Sequence, residues 1–509
     1  MGAMTRRSSL RLLIPGLIVL AAVLIIALRS RASGDSSATA TTASSSGLTV
    51  ETGAIAKPLP SGFVGLSMEY KGFLAYAGSD PRAADPAFEQ LLRAIAPNQT
   101  PVLRIGGDSS DWSWWPVPGM TRPPGVRFDL TPSYLATVKT VATAMRGRVL
   151  LGLNLEAGSP RVASAEARAF VARIGQSSLA GLELGNEPEL YASFGWYRTA
   201  QGVSVPGRAT GYDVTALERD YSNFSRSLPS LPLAGPSSGA PTWLTSLGSF
   251  LGAEPRVRLA TVHAYPLKHC RAATVVTIGE LLADSSSAGL AATLRPYAVD
   301  AARHGVPLRV DEMNGVSCGG YRGVSDTFAS ALWVLDTLFE MDKLGVGGIN
   351  IHTVPGGINE ILGATDTGGR WQVRVHPEFY GMILFAQAAP PGSRLLRMSA
   401  PAPAGVKVWA TRGTDGRIRV VVINKRVAQP VTVALHIPAA QGPATVLALR
   451  APRIGATSGV TLGGQTFGAQ TSTGLPTGRL QSSTLAPSGS AYAVRVAPAT
   501  ATMLTLAAH

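Results

Sequence analysis

Two acidic phrases carry the strongest chemical signal in this chain: Leu-Glu-Leu-Gly-Asn186-Glu187-Pro188 and Leu-Arg-Val-Asp311-Glu312-Met-Asn. Each sets a glutamate at the end of a short apolar, strand-like run. Cleaving an acetal takes one carboxylic acid to protonate the leaving oxygen and one carboxylate facing the anomeric carbon. In a partly dry pocket Glu187 would keep its proton and act as the general acid. By itself, Asn-Glu-Pro reads as readily as a helix entry with proline at its first position. The second acidic phrase tips that balance. Strict alternation sends Asp311 and Glu312 to opposite sides of a strand, so only one of them is expected to face the cavity.

Other polar residues gather on neighbouring segments. In Val-His263-Ala-Tyr265-Pro, Tyr265 could donate a hydrogen bond to the ionised acid, while His263 is either a substrate contact or a satisfied core histidine. Arg104-Ile-Gly-Gly-Asp108-Ser-Ser-Asp111 is a glycine-rich turn unlike a P-loop. It suits close backbone approach, with Asp108 for sugar hydroxyls and Arg104 buttressing the acids from within. Asn186 would flank the general acid. Glu69 offers another carboxylate for a hydroxyl. Trp112, Trp114 and Trp115 read as sugar-stacking platforms or as loop packing. One rival motif, Gly235-Pro-Ser237-Ser-Gly239, matches the G-x-S-x-G elbow of serine hydrolases, but the required acid and histidine lack a doubly wound setting.

To bring strand ends together, the chain needs a closed parallel sheet. Strand-like segments at 63–70, 102–106, 149–155, 182–185, 231–235, 257–265, 308–312 and 348–354 alternate with helical periods at 88–95, 133–145, 165–174, 216–228, 242–251, 290–304, 327–344 and 378–388. Eight of each predicts an α/β fold, a (β/α)8 TIM barrel over 61–390, with its chemistry at the C-terminal ends of the strands. An open doubly wound sheet would lead us to expect G-x-G-x-x-G after its first strand, and that motif is absent. Beyond Pro390, short Val/Ile-rich segments between Gly, Pro and Asn turns predict an antiparallel β-sandwich over 391–509. Residues 48–60 precede the barrel; their strand-like start at 48–55 could add an edge strand to that sandwich.

Composition narrows the class. With 509 residues and 45% hydrophobic content, the chain is globular and long enough for two folded domains. A net charge of +14 is scattered rather than clustered, which argues against a nucleic-acid partner and leaves a polyanionic polysaccharide compatible. Arg6, Arg7 and Arg11 precede an apolar stretch over 12–28. Somewhat shorter than the ~20 residues that span a bilayer comfortably, it is longer than the ~7–15 of an ordinary signal peptide core. Residues 1–31 therefore read as an uncleaved signal anchor or, alternatively, a signal peptide. The Ser/Thr/Ala-rich 32–47 reads as a flexible linker to an extracytoplasmic or secreted catalytic part. Cys270 and Cys318, the only cysteines, fall just past strands six and seven, so outside the cytosol one disulfide tying two active-site loops is expected. No metal or organic cofactor is expected, because no ligand cluster has metal spacing and two carboxylates suffice.

Taken in order, Arg104-Ile-Gly-Gly-Asp, Leu-Gly-Asn186-Glu187-Pro188, His263-Ala-Tyr265-Pro, Asp311-Glu312-Met-Asn, Gly-Val-Ser325-Asp326-Thr-Phe and Phe379-Tyr-Gly-Met-Ile-Leu-Phe resemble glycoside hydrolase family 79. That family of clan A includes β-glucuronidases and heparanase. The resemblance runs from about Leu48 to the C-terminus. It implies a retaining glycosidase with Glu187 as acid/base and Glu312 as nucleophile, and Asp311 becomes a structural acid paired behind the barrel wall. Uronate-cleaving relatives hold the sugar carboxylate with a tyrosine five residues after the nucleophile and with adjacent glycine amides. Here that position is Ser317, followed by Cys318-Gly319-Gly320-Tyr321, and a second family tyrosine falls at Ile351. Gly319, Gly320 and Tyr321 are the remaining candidates for that contact. The expected partner is thus a polysaccharide or glycoside, with neutral-sugar specificity or non-catalytic glycan binding as alternatives.

Overall fold

In the computed structural model, which describes residues 47–508 apart from 272 and 490, eight strands pair in parallel and close into a barrel. They are Val64–Glu69, Val102–Gly106, Arg148–Leu153, Leu179–Leu184, Leu233–Ser238, Val257–Ala264, Leu308–Met313 and Gly348–Thr353, in that order around the ring. We call them barrel strands one to eight. Nearly every residue in them is buried. Helices cover the outer face and side-chain layers fill the inner one, which is why these strands read as apolar runs rather than alternating patterns.

Local chemistry starts the surrounding helices. Asp85 and Thr131 stand just before Pro86 and Pro132 and accept the N–H groups of Ala87 (2.8 Å) and Tyr134 (3.1 Å). Such caps satisfy amides that have no partner inside the helix, and proline at the first helical position gives up nothing. Asp213 does the same for Val214–Ser225 through the Ala216 N–H at 2.8 Å.

Helix Phe328–Leu344 follows strand seven and is buried almost throughout. It lies between the barrel and the β-domain, so it has no face left for water. Its deepest acid, Asp336, meets Lys425 Nζ at 2.7 Å, Trp409 Nε1 at 2.9 Å and Ser287 Oγ at 2.6 Å. Burial alone would raise its pKa, but Lys425 and Lys407 outweigh that and hold it below the ordinary value.

The second domain is a mostly antiparallel sheet system in the order Thr461–Leu462, Ala440–Arg450, Thr500–Ala508, Arg417–Asn424, Val406–Arg412, Arg394–Met398, Leu48–Ala54, Val431–His436 and Ala491–Val496. The N-terminal strand is not at an edge. It runs antiparallel to Arg394–Met398 and parallel to Val431–His436, joining two groups of strands. Leu48 and Val50 are buried with Val420, Leu435 and Val494, and an edge position would have left that apolar face half covered. The apolar stretch 12–28 and most of the Ser/Thr tract lie outside the described residues. Among the described residues no helix is long and apolar enough to cross a membrane.

Candidate active site

Arg104, on strand two, organises the barrel mouth and has no exposed surface. Its Nε lies 2.7 Å from Glu183 Oε2 and 3.0 Å from Asp311 Oδ2. Nη1 donates to Glu312 Oε2 (2.7 Å) and Ser67 Oγ (3.1 Å), and Nη2 to Asn186 Oδ1 (2.9 Å). A planar fork of five donors can serve strands one, four, five and seven together, which a single ammonium could not. Burial opposes its charge, but Glu183, Asp311 and Glu312 raise its pKa well beyond the ordinary value. The glycine-rich turn after strand two follows from this crowding. A Cβ at Gly106 would stand 3.2 Å from the guanidinium carbon, and at Gly107, where φ is +69°, it would strike the Glu69 carboxylate.

Glu312 leaves strand seven with one oxygen on Arg104 and the other receiving the Tyr265 hydroxyl at 2.8 Å. His352 Nδ1, from strand eight, lies 3.7 Å from Oε2. Desolvation would raise the pKa of Glu312. His352, His263, Arg104 and the Tyr265 hydrogen bond outweigh it and hold the group well below the carboxylate range. It is therefore an anion at neutral pH. Glu187, just past strand four, adopts a left-handed conformation (φ 44°, ψ 56°) and donates its N–H to Ser237 O at 2.9 Å. This turn brings its side chain over the barrel, a quarter exposed, with Oε1 at 2.9 Å from His263 Nδ1. One oxygen of Glu187, one ring nitrogen of His263 and one oxygen of Glu312 all lie within 4.8 Å of one another.

His263 does not line an open surface. Its ring is buried, bonded through Nδ1 to Glu187 and through Nε2 to Ser237 Oγ at 3.2 Å. Burial lowers its pKa, yet Glu312, the bond to Glu187 and Asp311 together push it up to about 10. The three groups are also spaced to hold a cation. Ser237 meets His263 much as a serine nucleophile meets its base. It nevertheless has no exposed surface and lies under Arg104 Nη2 at 3.3 Å. With no surface open to a substrate, Ser237 cannot act as a nucleophile, and the elbow-like motif is part of the barrel floor.

One expectation is overturned. Asp311 is not behind the wall but inside the barrel, against Arg104 and Ser237 Oγ (3.4 Å). The pairing explains it: Val262 faces Val310 while His263 faces Glu312, so Asp311 is an extra residue at a bulge. A bulge breaks the two-residue alternation, and both acids turn inward.

The other singled-out residues divide by location. Asn186 bridges Arg104 and Asp108, whose Oδ1 accepts its Nδ2 at 3.2 Å. Asp108 reaches water at the rim, yet desolvation and then the nearby Glu69, Glu187 and Glu312 push its pKa up to about 7. Glu69 is spent on the Ser109 N–H (2.8 Å) and hydroxyl, which makes it a buttress of the turn. Gly319 and Gly320 both have positive φ, and Gly319 O accepts Asn359 N–H at 3.3 Å, linking the loops after strands seven and eight. Tyr321 packs edge-on against His269 with its N–H on Ser325 Oγ. Cys270 and Cys318 form a disulfide between the loops after strands six and seven. Trp112 lies between Lys71 and Arg127, and Trp114 is buried with its Nε1 on Asp129 Oδ1 at 2.8 Å. Both pack loops.

Sequence reasoning missed Ser67, Glu183, Ser237 and His352 as parts of the site, and the structural weight of Asp111. Asp111 accepts the N–H groups of Leu155 and Glu156 (both 2.9 Å) and of Asn186 (3.1 Å), and the Tyr191 hydroxyl (2.6 Å). It thereby fixes the loops after strands three and four to the turn after strand two. Glu183 left one signal, an acid inside an otherwise apolar strand.

No protein-family model matches the chain. A β-glucuronidase of Neurospora crassa is 23% identical over 398 residues, covering 68% of this chain and 67% of that protein. Among solved structures, a 4-O-α-L-rhamnosyl-β-D-glucuronidase from Fusarium oxysporum 12S superposes with a TM-score of 0.69 at 20% identity, over 90% of this chain and 100% of that one. A GH51 arabinofuranosidase from Xanthomonas axonopodis pv. citri gives 0.63 at 15% identity, over 90% and 99%.

Proposed function

We propose that this chain, a family-79-like glycoside hydrolase, cleaves β-linked glucuronides by double displacement. The observation that carries the reading is the spacing of its two glutamates. Oxygens of Glu187 and Glu312 within 4.8 Å of each other fit the ~5 Å separation of retaining enzymes and leave no room for the water an inverting enzyme needs. In the first step the Glu312 carboxylate attacks the anomeric carbon while Glu187 gives its proton to the departing oxygen. The carbon–oxygen bond breaks and a glycosyl ester on Glu312 forms. In the second step Glu187 takes a proton from water, the hydroxide oxygen bonds the anomeric carbon, and Glu312 leaves as the carboxylate. Tyr265 and Arg104 hold Glu312 in line and ionised.

The β-glucuronide reading draws on the Neurospora and Fusarium relatives. Ser317 and Ile351, standing where uronate-cleaving relatives place tyrosines, favour a second reading, neutral-sugar specificity, which the arabinofuranosidase-like fold also accommodates. Residues 47–509 assayed on aryl β-glucuronide, β-glucoside, β-galactoside, β-xyloside and α-arabinofuranoside distinguish them. We expect turnover of the glucuronide with retained configuration; turnover of a neutral glycoside alone would replace that assignment.

The arginine-flanked apolar stretch 12–28 and the Ser/Thr tract support an anchored, extracytoplasmic enzyme acting on an envelope or environmental polysaccharide. The full-length chain is expected in the membrane fraction after an alkaline carbonate wash, and its recovery as a shortened soluble protein would identify a cleaved signal peptide instead.

A further inference from the structure

Beneath the catalytic glutamates, Glu183 and Asp311 present two carboxyl groups that the mechanism above does not use. Both are fully buried and both press on the same Arg104 Nε. Their remaining oxygens, Glu183 Oε1 and Asp311 Oδ1, have no donor from any other group among the described residues. With Glu312 on Nη1, three carboxyl groups surround one guanidinium.

We infer that Glu183 and Asp311 share one proton, and that the single negative charge of this pair, whichever carboxyl bears it, positions Arg104 against the nucleophile. The inference deepens the proposed glycosidase mechanism and rests on it. Glu312 must be ionised to attack. Glu183 and Asp311 stand against one N–H in a fully buried floor, and two carboxylates confined to one dry site do not both ionise. A shared proton relieves their repulsion and supplies the missing donor for an otherwise orphaned oxygen. The two side chains converge on the same Arg104 Nε, at 2.7 and 3.0 Å. Burial and Glu183 push the pKa of Asp311 well up, while Arg104 outweighs burial at Glu183 and holds it down, so the proton rests mainly on Asp311.

Other groups face the pair from every neighbouring strand. Arg104 comes from strand two, Ser237 from strand five and His263 from strand six, its Nε2 lying 3.9 Å from Asp311 Oδ1. Arg309 acts on Asp311 from its own strand, with Nε given to Asn350 Oδ1 at 2.5 Å. Tyr70 and Tyr221 stand near Glu183 as neutral phenols, burial raising both. Glu183 and Asp311 are thus positioning residues, acting on the reaction through Arg104.

A shared charge has a distinctive signature. Asp311→Asn leaves the charge on Glu183 and replaces the shared proton with an amide N–H. Glu183→Gln lets Asp311 ionise in its place. Only the double amide removes the charge. We therefore expect each single variant to lose a few-fold in kcat/KM and the double variant to lose roughly 1,000-fold, far beyond the product of the two. The loss falls on kcat with KM little changed, because the pair acts through the alignment of Glu312 by Arg104 and touches no sugar. The same cycle read by urea unfolding needs no substrate. There the double variant should lose more stability than the sum of the singles. Additive losses in both readouts, or a single variant as impaired as the double, would overturn the shared proton. Inactivity of the parent on every glycoside would instead count against the proposed function, with the unfolding cycle still deciding the pair.

Discussion

Glu312→Ala is expected to lower kcat by roughly 10⁵-fold or more, the scale on which loss of a covalent nucleophile acts in other hydrolases. The site predicts how the loss divides. Without the Glu312 carboxylate no glycosyl ester forms, so every substrate suffers, including aryl glycosides with good leaving groups. Added azide, a small anion, fits the vacated space and attacks in its place, and the product is a glycosyl azide of inverted configuration. Glu187→Ala behaves differently. An activated aryl glycoside departs without proton assistance, so the first step survives and the ester on Glu312 accumulates. Its hydrolysis slows by roughly 10²–10⁴-fold, the range of general base catalysis. Azide then yields a product of retained configuration. Mass spectrometry of the trapped intermediate and NMR of the azide products separate the two roles. An azide product of the same configuration from both variants would exchange or dissolve the assignments.

The second large effect is expected at Arg104. Arg104→Met leaves Glu183, Asp311 and Glu312 without their shared cation, and removing one partner of a buried ion pair costs about 3–5 kcal/mol. Activity should fall at least 10³-fold on top of the stability loss, because Glu312 loses the 2.7 Å partner that holds it in line. Arg104→Lys should recover little: one ammonium cannot meet Glu183, Glu312, Ser67 and Asn186 at once. The pH dependence of unfolding adds a check of sign. In the parent, Glu312 is held below its unfolded pKa, which contributes stability present above that value and lost as pH falls toward the folded one. In Arg104→Met one of the groups that hold the carboxyl down is gone, so this loss of stability on the acid side should be smaller than in the parent. Parental kinetics in Arg104→Lys would show that charge alone suffices and that the fork geometry is incidental.

Much of this molecule is decided locally and can be read from the chain. Barrel strands buried on both faces must be apolar along their length, and helices between them must begin with caps, so the eight-fold alternation and the change of texture after Pro390 are visible without coordinates. Glu187 and Glu312 stand out for the same reason. Each follows an apolar run directly, and an acid in that place is conspicuous. Other features depend on contacts between distant segments, and no local pattern encodes them. Leu48–Ala54 has strand composition, but only pairing with residues 394–398 and 431–436 puts it inside the sheet system. Ser237 carries a serine-hydrolase motif, and only its burial under Arg104 shows it to be structural. Asp311 is the sharpest case. Alternation sends it to the wall, whereas a bulge against strand six turns it inward beside Glu183, which lies 128 residues earlier in the chain. Sequence by itself determined which strands form and which carry acids at their ends, because burial and capping act over a few residues. Tertiary structure alone decided how many acids share Arg104, and hence which are ionised, because charge in a dry interior is settled by neighbours from every strand at once.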